Sequence, residues 1–79
     1  MSQFEKSIER LRARPPEASF EDVTRVLQGF GWRHARQRGS HVSFTKAGER
    51  SITVPLLAGT RVKRAYVSEI CRRLGLDEA

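Results

Sequence analysis

The stretch Gly39-Ser40-His41-Val42-Ser43-Phe44 decides the fold, because it joins a turn to a strand whose two faces can be told apart. Gly39-Ser40 turns the chain, and from His41 to Lys46 the apolar Val42 and Phe44 alternate with His41, Ser43 and Thr45. Such period-two alternation marks a strand with one buried and one open face. Upstream, Trp32 to Arg38 also alternates large with polar residues, which supplies the other arm of a hairpin. Downstream, Ala47-Gly48-Glu49 makes a second tight turn, and Ser51 to Pro55 puts Ile52 and Val54 on one face and Ser51 and Thr53 on the other. Pro55 lacks an N–H and fits a strand end or an edge. The three strands read as an antiparallel meander.

Helical spacing flanks this sheet on both sides. Before it, Ser19 precedes Phe20-Glu21-Asp22 in the manner of an N-cap with an acidic first turn, and Phe20, Val23, Leu27 and Phe30 form one apolar stripe. Gly31 suits the residue just past that helix, where a positive φ is often needed. After the sheet, a loop with Gly59 leads to a helix from Lys63 to Leu74, with Tyr66, Val67, Ile70, Cys71 and Leu74 as its stripe and Gly75 as its stop. Farther upstream, Phe4, Ile8 and Leu11 recur at i, i+4 and i+7, which predicts a short helix over residues 3 to 13 that Pro15-Pro16 ends. The order is α-α-β-β-β-α, an α+β class. A three-stranded sheet with one polar face needs one covering layer, so the last two helices are expected on the same side.

Size and charge limit the function classes. A chain of 79 residues makes one small domain with a thin core and no room for a large cleft. The net charge of +6 is uneven: residues 1 to 30 hold five basic and five acidic side chains, whereas residues 31 to 79 hold ten and four. Glu49 is the one acid between positions 23 and 68. Twelve Arg against three Lys suits phosphate, since a planar guanidinium binds it in a fork. The composition therefore points to a nucleic acid, with a merely solvated basic surface or an acidic protein partner as the alternatives. One cysteine, Cys71, excludes an internal disulfide, and its helical spacing makes it a core residue. Without a signal-like N-terminus or an apolar run of about 20 residues, a soluble cytoplasmic protein with no membrane contact is expected.

If Val42 and Phe44 face the helices, His41 lies on the open face with Ser43, Thr45, Ser51 and Thr53. Histidine titrates near neutral pH and is the usual side chain for proton transfer, although an exposed strand histidine taken alone is more often an incidental surface residue. His34 shares strand parity with Trp32 and is expected to be partly buried. Two histidines seven residues apart and a helical cysteine have no metal-ligand spacing, so neither metal nor cofactor is expected. No Asp or Glu near His41 makes a triad, and no Gly-rich phosphate loop is present.

The motifs Gly29-Phe30-Gly31-Trp32 with Arg36, Gly39-Ser40-His41, Ile52-Thr53-Val54-Pro55, Gly59, Lys63 and Leu74-Gly75-Leu76 resemble, in order and spacing, the HicA toxin family of bacterial toxin–antitoxin systems. The resemblance covers residues 20 to 76. It implies a double-stranded-RNA-binding-domain-like fold, α-β-β-β-α, over residues 19–79, with residues 1–18 as a helical extension. It also implies a metal-independent endoribonuclease that cleaves mRNA through the histidine matched by His41. A HicB-like antitoxin covers that histidine in the family, and contact with operator DNA is expected only through the antitoxin. The chain departs from the family at Ala65-Tyr66, bulkier than its frequent Gly-Thr pair, where Tyr66 either packs in the core or offers a ring for base stacking.

Within that activity, RNA brings its own 2′-hydroxyl nucleophile, and His41 is the candidate acid or base. Arg36 and Arg38 are the candidate phosphate contacts on the adjoining strand, and Lys63 is another at the start of the last helix. Gly39 either lets the RNA backbone approach or simply permits the turn; Ser40 either hydrogen-bonds a phosphate or ends the strand. The alternative function is a non-catalytic RNA-binding module that uses the same basic face.

Overall fold

The alternation around His41 forms a strand in the computed structural model, which describes residues 2–77; Met1, Glu78 and Ala79, included in the expected domain limits, lie outside the described residues. The chain runs α1 (Gln3–Arg12), β1 (Glu17–Ser19), α2 (Phe20–Gly29), β2 (Arg33–Arg38), β3 (His41–Thr45), β4 (Ile52–Pro55), β5 (Arg61–Lys63) and α3 (Arg64–Leu74). Strands β2, β3 and β4 pair antiparallel in that order. This is the meander read from the sequence, and α2-β2-β3-β4-α3 has the order of a double-stranded-RNA-binding-domain-like fold with α1 added.

Val42, Phe44, Ile52 and Val54 turn one sheet face inward, where they share a core with Val23, Val26 and Leu27 of α2 and Val67, Ile70 and Cys71 of α3. Burial raises the Cys71 thiol pKa, and its Sγ donates to the Leu11 carbonyl at 3.6 Å. The helix ends follow the local chemistry. Ser19 Oγ accepts from the Asp22 N–H at 3.0 Å, Gly31 follows α2 at φ 91°, and Gly75 ends α3 at φ 72° with the Leu76 N–H bonded to the Cys71 carbonyl at 2.9 Å.

Three features differ from the sequence reading. Residues 61–63, expected as loop and helix start, form β5, which pairs with β1 through Ala18↔Val62 in a separate two-stranded sheet. Three-residue strands are too short to show alternation. Tyr66 is 37% exposed rather than part of the α3 stripe. The apolar side of α3 is carried by Val67, Ile70 and Cys71, and Tyr66 lies outside it. His34 is exposed: its ring packs on Phe44 and Phe20, with centroids 5.5 and 6.1 Å away, but β2 is an edge strand and leaves the other side open.

Helix α1 packs on α2 and α3 and buries Leu11 in the common core. A polar cluster fastens it. Asp22 accepts from Ser7 Oγ at 2.7 Å and from Arg10 Nε and Nη2 at 2.8 and 2.9 Å, while Arg25 reaches both Ser7 and Asp22. Arg10's hydrogen bonds, helped by Ser7's, hold the Asp22 carboxyl down to a pKa of about 2 against the opposing effect of burial. Phe4 lies over Gly29 so closely that a Cβ there would sit 2.0 Å from the ring. No described helix is long and apolar enough to cross a membrane.

Candidate active site

The hairpin register builds the site. Arg38 stands directly opposite His41 on one side, and Pro55 stands opposite it on the other. Directly paired residues share a face with Cβ atoms about 4.5–5.5 Å apart. Since Val42 and Phe44 point to the core, His41, Ser43 and Thr45 line the open face, with Arg38, Arg36 and Arg33 beside them on β2 and Pro55 and Thr53 on β4. Ser43 Oγ and Thr53 Oγ1 are hydrogen-bonded at 3.2 Å. His41 itself is exposed, on a sheet surface that a polymer can lie across.

A bulge makes this arrangement possible. The register shifts between His34 and Arg36, so Ala35 has no partner of its own. Strict alternation would put His34, Arg36 and Arg38 on one face. With the extra residue, His34 pairs with Phe44 on the core side, whereas Arg36 pairs with Ser43 and Arg38 with His41 on the open side. The bulge thus aims three arginines, at 33, 36 and 38, to the histidine's face.

The electrostatics of that face follow from where the acids are. Asp22 pairs with Arg10 and Arg25, Glu21 with Arg25, Glu17 with Arg61, Glu69 with Arg72 and Asp77 with Arg14. Those pairs occupy the helices, the small β1–β5 sheet and the segments that follow α1 and α3. Among the described residues, Arg33, Arg36 and Arg38 enter no ion pair, so their charge on the open face is uncompensated. A row of free guanidinium groups beside an imidazole can bind a phosphodiester and move a proton at it. Among the described residues, no three His, Cys, Asp or Glu side chains gather as metal ligands would.

The other sequence candidates fall around this row. Gly39 has φ 57° and nothing within 4 Å of where its Cβ would be, so the turn conformation requires glycine and the space before it stays open. That φ suits the mirror-image turns that close two-residue hairpins. The Gly39 carbonyl accepts from Gln37 Nε2 at 3.1 Å. Ser40 is exposed, and its carbonyl accepts from the Leu56 N–H at 2.6 Å, which ties the turn to the end of β4. Lys63 occupies the N-cap position of α3 without a side-chain capping bond, and it lines a hollow of about 180 Å³ whose wall includes Pro55, the cross-strand neighbour of His41. The structure therefore gathers Arg36, Arg38, Gly39, Ser40 and His41 at one end of the hairpin and brings Lys63 to its border.

The sequence reading did not place Arg33 on the site or join Ser43 to Thr53. Arg33 was visible only as part of a basic run, because its face depends on the bulge that follows. The Ser43–Thr53 pair depends on the β3–β4 register, which turn length alone leaves open by a residue. A family model described as the HicA toxin of bacterial toxin–antitoxin systems matches residues 20–76. No curated protein and no solved structure matches the chain significantly. The matched span begins at the first residue of α2 and runs past Gly75 at the end of α3, taking in the whole meander and the His41 face. This chain belongs to the HicA toxin family of bacterial toxin–antitoxin systems.

Proposed function

We propose that the chain is an endoribonuclease that cleaves mRNA on the open face of its sheet, with His41 as general acid–base. One observation carries this reading: the exposed His41 stands opposite Arg38 in a row of arginines that no described carboxylate neutralises. Family membership supplies the toxin context.

The reaction uses the substrate's own nucleophile. His41 takes the proton of the ribose 2′-hydroxyl, the 2′-oxygen bonds to the adjacent phosphorus, and the bond from phosphorus to the 5′-oxygen breaks. The departing oxygen takes up a proton from water, and the proton held on His41 passes to the hydroxide left behind, which leaves a 2′,3′-cyclic phosphate and a 5′-hydroxyl end. Negative charge builds on the phosphoryl oxygens in the transition state, where Arg36 and Arg38 stabilise it. Gly39 and Ser40 keep that approach open and offer a hydroxyl to the phosphate, and Lys63 holds a flanking phosphate. His41 supplies the base and Arg36 and Arg38 supply the positive charge, so the proposed reaction runs without a metal.

Cleavage of mRNA would stop translation, and the toxin would act in the cytoplasm where its substrate is. A HicB-like antitoxin would neutralise it by covering the His41 face, and would provide any contact with operator DNA.

End-labelled RNA incubated with the purified protein in EDTA tests the reading. The expected products end in 2′,3′-cyclic phosphate, and a 2′-deoxy nucleotide at the cut position blocks them. RNA binding without any product would instead identify a non-catalytic RNA-binding module.

A further inference from the structure

Two large apolar side chains of the described residues are exposed, Leu57 at 40% and Tyr66 at 37%. Both line the same hollow. Its other walls are Pro55, Leu56 and Lys63, and it encloses about 180 Å³. Exposed apolar groups cost free energy in water, so two that converge on one concave spot mark a place where something apolar docks.

The position of the hollow identifies the occupant. Pro55 is opposite His41 in the β3–β4 register, so one wall of the hollow adjoins the proposed cleavage site on the same face. Lys63, which also lines the hollow, adds a positive charge within one helical turn of Tyr66. An apolar slot with an aromatic ring, one cation at its rim and a phosphodiester site next door has the chemistry of a single nucleotide: a base against the ring and a phosphate on the cation. We propose that this hollow is a base-binding subsite for single-stranded RNA, in which Tyr66 stacks the nucleobase next to the scissile phosphate and Lys63 holds its backbone.

This inference rests on the reading of the His41 face as an RNA site. It makes Tyr66 a positioning residue, one that holds the strand in register over His41 without touching the reacting atoms. Its position on α3, outside the stripe of Val67, Ile70 and Cys71, lets the ring be removed without opening the core.

The test measures RNA affinity in a His41→Ala background, so that no cleavage intervenes. A labelled single-stranded oligonucleotide is compared with a series in which one abasic nucleotide is moved along the strand. With Tyr66 present, one abasic position is expected to weaken binding about tenfold, within the range for a base stacked on an aromatic side chain. Tyr66→Ala should weaken the intact oligonucleotide by the same factor and remove the effect of that abasic position, while Tyr66→Phe restores both. Equal affinities for Tyr66→Ala and the Tyr66 protein would overturn the subsite, and so would an abasic effect that persists without the ring. These results would leave the cleavage reading standing. Failure of every variant to bind RNA would remove both readings, and RNA cleavage by the protein with Tyr66 is the separate measure of the first.

Discussion

Acid should loosen the attachment of α1 through one carboxylate. Asp22 is almost fully buried and accepts hydrogen bonds from Ser7 and Arg10, with Arg25 alongside, and its pKa is about 2 against an ordinary 3.8. Because the folded-state value is the lower one, the ionised form favours folding; its contribution is complete well above pH 3.8 and is lost as the pH falls through 2. A difference of that size corresponds to about 2 kcal/mol, of which about half is gone by pH 3. Asp22→Asn keeps the shape and removes the titration. Urea denaturation of both proteins, followed by circular dichroism at pH 6, 3 and 2, should show a stability gap of about 2 kcal/mol at pH 6 that shrinks to a small fraction at pH 2. Glu5 and Glu69 also have lowered pKa values, through hydrogen bonds from Ser2 and Arg72, but they titrate equally in both proteins and cancel in the comparison. A gap that stays constant across this range would refute the assignment of acid sensitivity to Asp22.

Two further predictions concern the basic row and the helix contact. Replacing Arg36 and Arg38 together by Ala should weaken RNA binding and reduce the slope of log affinity against log salt by about 1.4, since each phosphate contact on a single strand contributes about 0.7. A titration of affinity against salt concentration reads this directly, and an unchanged slope would remove both residues from the phosphate site. Gly29→Ala should destabilise the fold because its Cβ would collide with the Phe4 ring, whereas adding Phe4→Ala should relieve most of that collision. Thermal melts of the two single variants and the double variant then give a coupling energy of opposite sign to the single losses.

Much of the fold is legible in the sequence because its signals are local. Ser19, Gly31 and Gly75 mark helix ends through their own backbone chemistry, and Val42, Phe44, Ile52 and Val54 mark the inward sheet face by alternation. Strand parity likewise puts His41 outside. What escapes is set by pairing between distant segments. The β1–β5 ladder joins residues 42 to 46 positions apart with three residues on each side, so neither strand carries a pattern of its own. The Ala35 bulge is similar: nothing in Arg33 to Arg38 reports that His34 must meet Phe44 while Arg36 meets Ser43. Tyr66 misleads for the opposite reason, since helical spacing marks a broad stripe but not which margin the neighbouring elements cover. The Ser7–Asp22–Arg10 cluster was hidden because α1 meets α2 only in the folded chain.

In the proposed mechanism His41 moves the proton in RNA cleavage. The most direct measurement is the single-turnover rate of cleavage of one RNA by the wild-type chain and by His41→Ala, at protein concentrations where both are saturated with substrate. Loss of a general acid–base group predicts a rate lower by about 10²–10⁴-fold with RNA affinity largely retained, because in the proposed mechanism the arginines and not the imidazole hold the phosphates. Equal rates for the two proteins would contradict the account.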